Sequence, residues 1–379
     1  MAVTESHAAG PTDALSGQRI ERIEVGTLTS RYPRTVGRNA RLGSHGSGGP
    51  NRIVRVSTQD GASGWGLAGG PVTGLAGLLG RPLDSVFDPE RGVIDSAAVP
   101  LDFALHDLAG TALGVPVHAL LGGHGETSMT CYDGAIYFDD LDYSDLDDPA
   151  GLDVVLANCA CDHELGYRAF KLKIGRGNKW MERQEGLIRD IDITRAVRAQ
   201  YPDAEILVDA NDGYSGPGFL EYLQAVADCR LFWVEEPFAE NAADLKALKD
   251  SRALGTTLVA DGEFEPDLEA VLALAEQHLL DVLLMDVVSF GFTAWRQVMP
   301  RVRQAGVHAS PHAWGVPLKT LYAAQLAAGL GNVITVEGVP GVMEGMDASG
   351  YVLREGRLTV PSTPGFGIPL PPVELTAVS

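Results

Sequence analysis

Seven short apolar runs, each closed by a charged or titratable side chain, recur at nearly even spacing from residue 169 to residue 337. They are Ala169–Lys173, Glu205–Asp209, Phe232–Glu235, Leu258–Glu263, Val282–Asp286, Val307–His312 and Val333–Glu337. The steps between closing residues are 36, 26, 28, 23, 26 and 25 residues, with an amphipathic stretch inside each. A strand–helix–strand unit takes about 30 residues. A repeat of this size, each strand followed by a helix, points to a (β/α) barrel around a parallel inner sheet. The C-terminal ends of such strands converge on one mouth, which carries the active site. Mere exposure of strand ends would scatter Ser, Thr and Gln among the closing residues, and here they are Lys, Asp, Glu and His.

The order of these closing residues predicts chemistry. Asp209, Glu235 and Glu263 close consecutive runs, so they sit side by side on the mouth. Crowded carboxylates repel and raise one another's pKa. A hard divalent cation relieves this, and an all-oxygen donor set favours Mg²⁺ over zinc or copper. The alternative is a set of solvated or salt-bridged acids. Glu236 and Asp261 are rival ligands, but alternation along a strand turns Glu236 away from Glu235. Lys171 and Lys173 share one strand face by the same alternation. Two ammonium groups near a metal depress each other's pKa, which suits a lysine to act as a base. Across the barrel, Asp286 and His312 close neighbouring strands, where an Asp can fix the tautomer of a His and raise its basicity.

The remaining sequence reads as a second unit, because 379 residues exceed what one hydrophobic core usually holds. Arg19–Leu28 and Arg52–Thr58 alternate as a β-hairpin, and Val99–Leu113 has helical spacing. Between the hairpin strands, Arg31–Pro50 is rich in Gly, Ser and Arg, without periodicity. A loop of that length is functional or disordered. Residues 1–17 read as a disordered tail rather than a signal peptide. No apolar run of about 18 residues occurs, so no membrane span is expected. The formal net charge of −21 repels nucleic acid and anionic membranes, so an acid-binding site needs local positive charge. Cys131, Cys159, Cys161 and Cys229 are expected to be reduced thiols of a cytoplasmic protein. The Cys159–Cys161 spacing is too close for an ordinary zinc site.

With these residues in place, the chain resembles the enolase superfamily. Lys171-Leu172-Lys173 looks like its Lys-x-Lys motif. Asp209-Ala210-Asn211, Val234-Glu235-Glu236-Pro237 and Gly262-Glu263 look like its metal-ligand motifs. Asp286 and His312, within Ser310-Pro311-His312-Ala313-Trp314-Gly315, resemble the His–Asp dyad of the mandelate racemase subgroup, and Glu337 matches the last-strand glutamate. Met285 and Phe292 depart from the Pro and Gly-Gly that flank this Asp in many relatives. The resemblance implies α/β architecture: a modified TIM barrel, (β/α)7β, over 126–349 and an N-terminal α+β capping domain over 18–125. A C-terminal segment, 350–379, is expected to return to the cap.

The resemblance also implies roles. Mg²⁺ on Asp209, Glu235 and Glu263 is expected to hold a small carboxylic-acid substrate. Lys173 and His312 flank its α-carbon, with Asp286 behind His312. Lys171 places positive charge at the substrate carboxylate, and Glu337, if protonated, donates to it. Asn211 and Trp314 are further expected substrate contacts. Tyr32, Arg38, Arg41 and His45 are expected to reach the substrate from Arg31–Pro50, acting as a lid. Abstraction of the α-proton then leads to dehydration of a sugar acid to a 2-keto-3-deoxy acid, which the resemblance favours, or to racemisation or epimerisation. A non-catalytic metal- and acid-binding barrel is the alternative of another class. The expected assembly is a homo-oligomer, dimer to octamer.

Overall fold

The computed structural model describes residues 15–141, 151–263 and 266–379. Most of the expected tail, residues 1–14, lies outside them. Leu15 already belongs to the fold, because it is buried in the cap core. Alternating apolar residues bring β1 (Ile20–Arg31) and β2 (Pro50–Thr58) together antiparallel, and β3 (Ser63–Leu67) lies on the other edge of β2. The short strands β4 (Phe87–Asp88) and β5 (Gly92–Val93) form a separate pair. Helix α1 (Asp102–Leu113) packs directly on β3. A Cβ on Gly64 would stand 2.1 Å from the Leu108 nitrogen and 2.4 Å from the Ala104 oxygen, so only glycine permits this approach. The short α2 (Val117–Leu120) leads into the barrel.

The barrel alternates strand and helix: β6 (Ser128–Ile136), α3 (Leu152–Glu164), β7 (Ala169–Lys173), α4 (Arg183–Gln200), β8 (Glu205–Asp209), α5 (Gly216–Ala225), β9 (Trp233–Glu235) and α6 (Ala242–Asp250). It continues with β10 (Leu258–Asp261), α7 (Leu268–Glu276), β11 (Val282–Leu283), α8 (Val287–Gln304), β12 (His308–Ala309), α9 (Pro317–Leu330) and β13 (Val336–Gly338). Strands β6 to β12 are parallel neighbours in chain order. The ring closes because β13 pairs with β6 and Ala309 bridges Val333. This is the expected (β/α)7β barrel beneath a cap. Tyr132–Ile136 lies in β6, which supplies the edge that β13 needs for closure.

The lumen is filled by a cluster containing Tyr132, Ala169, Leu207, Trp233, Ala260, Val282 and Leu284. Strand alternation carries this face upward to Lys171 and Lys173, Asp209, Glu235 and Asp286. Strand β10 is the exception, since alternation from Ala260 would put Gly262 on this face. Gly262 lies at φ 94°, a left-handed turn that re-aims the chain so that Glu263 faces the mouth. The chain then returns toward the cap through β14 (Val342–Met343), which pairs with β1. Strands β15 (Val352–Arg354) and β16 (Arg357–Thr359) instead form a hairpin on β6, and β17 (Leu375–Ala377) pairs with β1. The return thus begins before residue 350 and is interrupted by a barrel-bound hairpin. No helix among the described residues is long and apolar enough to cross a membrane.

Candidate active site

Asp209, Glu235 and Glu263 converge at the mouth, with one carboxylate oxygen from each lying within 4.8 Å of the others. All three are buried. Trp233 Nε1 donates to Glu235 Oε2 at 3.1 Å and fixes that carboxylate from below. Glu263 Oε2 is buried without a hydrogen-bond partner, a costly state for a carboxylate oxygen and one that a cation would relieve. The rivals point elsewhere. Glu236, in the left-handed region at φ 41°, meets the Asn211 amide at 3.2 Å. Asp261 accepts from the Gly262 nitrogen at 2.7 Å. Asn211, expected at the substrate, spends its amide on Glu236, and its backbone nitrogen caps Asp209 at 2.9 Å.

The two lysines sit against this cluster. Lys171 Nζ lies 2.8 Å from Glu235, 2.9 Å from Glu337 and 3.4 Å from Asp209, while Lys173 pairs with Asp209. Burial pulls both ammonium groups down. The carboxylates outweigh it, Glu235 and Glu337 for Lys171 and Asp209 for Lys173, so both stand above the ordinary lysine value. Mutual depression of the lysine pair, expected from the sequence, is therefore not what dominates. The same pairs hold Asp209 well below the usual carboxylate range, although its burial acts in the opposite sense. Burial and the Asp209 charge push Glu235 up. A divalent cation on these carboxylates competes directly with the ammonium groups for the same charge.

At the other end of the triad stands His312. Its Nε2 lies 2.9 Å from Glu263 and 3.7 Å from Glu337, and its Nδ1 lies 3.0 Å from Asp286 Oδ2. Burial lowers its pKa, but Glu263, Glu337 and Asp286 together raise it to about 10. Asp286 is fixed by its own place in the chain. It caps α8, accepting from the Val288 and Ser289 nitrogens at 3.0 and 2.8 Å. Gly291, at φ 84° and ψ 160°, breaks α8 just beyond. A residue absent from the sequence reading, Lys319, also reaches Asp286 Oδ2, at 2.5 Å.

Glu337 faces both Lys171 and His312. Its Oε2 accepts from the Ala313 and Trp314 nitrogens at 2.6 and 2.9 Å. Burial raises its pKa, yet Lys171, His312 and these hydrogen bonds bring it below the ordinary value. An ionised carboxylate only accepts, and in this arrangement Glu337 stands as an acceptor. Gly134 leaves room for it, since a Cβ there would lie 2.5 Å from Glu337 Oε1.

The cap segment 31–50, expected to be a functional or disordered loop, is held by backbone hydrogen bonds of its own. Tyr32 N donates to Ser47 O at 3.0 Å and Val36 N to Gly46 O at 2.8 Å, extending the hairpin of β1 and β2. Tyr32 stacks on Trp314 with centroids 5.5 Å apart and donates its hydroxyl to Gly315 O at 2.6 Å. His45 lies edge-on to Tyr137 at 4.6 Å, and Tyr137 in turn packs on Trp314 at 4.9 Å. The Lys173 ammonium is 5.2 Å from the Tyr137 ring, which places this aromatic wall beside the lysine. Because a carbonyl only accepts, the 2.8 Å contact from His45 Nδ1 to Gly37 O puts the proton on Nδ1. Burial lowers the pKa of this ring. Arg38 and Arg41 are engaged at the rim instead, Arg38 over Trp180 at 4.6 Å and Arg41 paired with Asp212 at 2.5 Å. Arg34, on the same segment, grips Asp162 on α3.

Residues 156–372 match the family described as enolase C-terminal domain-like. A galacturonate dehydratase from Geobacillus sp., solved with D-galacturonate and 5-keto-4-deoxy-D-galacturonate, is 33% identical, with a TM-score of 0.86 over 93% of this chain and 94% of that one. A mandelate racemase/muconate lactonizing protein from Geobacillus sp., solved with magnesium and tartrate, is also 33% identical, with a TM-score of 0.86 over 95% of each chain. The D-galactarolactone cycloisomerase of Agrobacterium fabrum is 27% identical over 83% of this chain and 88% of its own length. A carboxylate triad between a Lys-x-Lys strand and a His–Asp pair, on a barrel that matches these proteins over nearly its whole length, makes this chain a member of the enolase/mandelate racemase superfamily.

Proposed function

We propose that the protein is a magnesium-dependent dehydratase that removes the α-proton of a sugar acid and expels its β-hydroxyl, leaving a 2-keto-3-deoxy acid as numbered from the carboxylate. The observation that carries this reading is the triad Asp209, Glu235 and Glu263 with Lys173 against one end and His312 against the other. The triad offers only oxygen donors, with the unpartnered Glu263 Oε2 among them, and so fits Mg²⁺. Bound there, the ion supplies positive charge where the second negative charge of the enediolate develops. Lys171 adds its ammonium beside the substrate carboxylate. Lys173 takes the α-proton, and His312, kept in register by Asp286, gives a proton to the departing hydroxyl. Glu337 holds Lys171 and the Ala313–Trp314 turn in place. Tyr32, His45 and Trp314 bound the substrate chain, while Arg38, Arg41 and Asn211 shape the rim. The presence of two candidate bases also supports a racemase or epimerase reading, in which His312 returns a proton to carbon.

D-Galacturonate is the first substrate to test, because a relative of matching length is solved with it. The four cysteines are free thiols, which fits work in the cytoplasm, and a homo-oligomer remains our expected assembly. The division into a cap at 18–125 and a barrel at 126–349 is likewise proposed as the working description. A library of uronic, aldonic and aldaric acids, incubated with the protein and Mg²⁺ and assayed for 2-keto products, tests the function. A 2-keto product from one class supports dehydration. Inversion at the α-carbon without keto product supports the epimerase reading, and binding without either outcome would mean a non-catalytic barrel.

A further inference from the structure

Asp286 carries more than the histidine. Its Oδ1 is filled by the Val288 and Ser289 nitrogens and, at 3.1 Å, by the Ser289 hydroxyl. Its Oδ2 is shared by His312 Nδ1 at 3.0 Å and Lys319 Nζ at 2.5 Å. Lys319 stands in the first turn of α9, and its ammonium also donates to Trp314 O at 3.3 Å. Trp314 N, on the same residue, binds Glu337. The lysine thus closes a ring that runs from Asp286 through His312 and along the chain to Trp314. Docking of α9 does not require this pair, because Pro317, Leu318, Thr320 and Leu321 around it are already buried. The ammonium's two hydrogen bonds both go to residues of the site.

We propose that Lys319 is a positioning residue for the His312 half of the reaction, clamping Asp286 and the Trp314 turn to each other so that the imidazole and the aromatic wall keep one arrangement. Productive geometry tolerates displacements of only about 0.5 Å. The three donors on Oδ1 hold Asp286 in the α8 cap, and Val287 N ties that cap to His312 O at 2.9 Å, but neither reaches the Trp314 carbonyl. Lys319 joins the two. The proposal rests on the reading of His312 as general acid and adds a residue that touches neither substrate nor metal.

The test uses the Mg²⁺-loaded wild-type protein with Lys319→Met, Lys319→Arg and His312→Asn, each given D-galacturonate in deuterated water. Two rates are read: formation of keto product, which needs His312, and entry of deuterium at the α-carbon, which needs Lys173. Lys319→Met should lower product formation by about 10–100-fold, the usual effect of losing an outer-shell partner, while exchange continues near the wild-type rate. Lys319→Arg, which keeps the charge and reach, should recover most of the loss. Crystal structures of the Mg²⁺-loaded variants should show His312 or Trp314 displaced by more than about 0.5 Å in Lys319→Met and in place in Lys319→Arg. Unchanged positions together with unchanged product formation, or a parallel loss of both rates with His312 and Trp314 unmoved, overturns the proposal. If His312→Asn still forms product, the general-acid reading fails on its own. The crystal structures then decide the role of Lys319, as they do if the wild-type protein leaves D-galacturonate unchanged.

Discussion

The surroundings of His312 hold more than the one Asp that its place on the strand announces. It stands between Glu263, Glu337 and Asp286, and these outweigh its burial to raise its pKa from 6.5 to about 10. A base whose pKa is raised on folding contributes stability that is fully present below the unfolded value, near 6.5, and is lost as pH rises through about 10. Protein freed of metal by chelator should therefore become easier to unfold with urea as pH rises across that window, and His312→Asn should flatten this part of the profile. An identical slope in the variant would mean that other groups carry the effect. Lys319 shows the limit of reading at this scale. Nothing near it in sequence marks it, because its meaning lies in an ion pair with Asp286, 33 positions away.

At the scale of elements, strand ends were legible because they answer to one rule. A parallel barrel turns every second residue inward and brings all C-terminal ends to one mouth, so the spacing of the closing residues places Asp209, Glu235, Glu263, Asp286 and His312 there. Glu263 breaks the alternation and reaches the mouth only through the left-handed Gly262, a backbone feature that periodicity does not reveal. The cap segment misled for a related reason. Its glycines and arginines read as freedom, whereas the chain continues the β1–β2 hairpin and spends its cations on Asp162, Asp212 and Trp180. Arg41 is over half exposed at 54%, and an exposed pair of this kind is worth less than about 1 kcal/mol. Arg41→Ala should thus leave the unfolding midpoint nearly unchanged and raise KM for the acid substrate with little effect on kcat. An unchanged KM would remove Arg41 from the substrate rim. Gly64→Ala tests the cap interior. Its new Cβ meets the backbone of α1 at 2.1 Å, so α1 must move off β3. Overpacking of this kind costs about 1–3 kcal/mol, to be read as a lower urea midpoint. A midpoint equal to wild type would show that α1 yields more readily than its contacts suggest.

Across the whole molecule, a net charge of −21 surrounds a site meant for an anion. Lys171 and Lys173 are the cations at its centre, and both are engaged by the same carboxylates that would hold the metal. The arrangement makes sense as a charge exchange: Asp209, Glu235 and Glu263 would hold Mg²⁺, and its charge would free Lys171 and Lys173, now paired with those carboxylates, for the substrate carboxylate and the α-proton. Fold, triad and dyad all serve that exchange, and Mg²⁺ dependence of proton abstraction is its most direct consequence. The decisive measurement is proton NMR of D-galacturonate and related sugar acids in deuterated water, with the protein first treated with chelator and then supplied with Mg²⁺. With chelator the α-proton should remain unchanged, and once Mg²⁺ is added its signal should be lost as keto product appears. Loss of the α-proton at the same rate with and without the metal, or an unchanged α-proton in every acid despite measured Mg²⁺ binding, would contradict this.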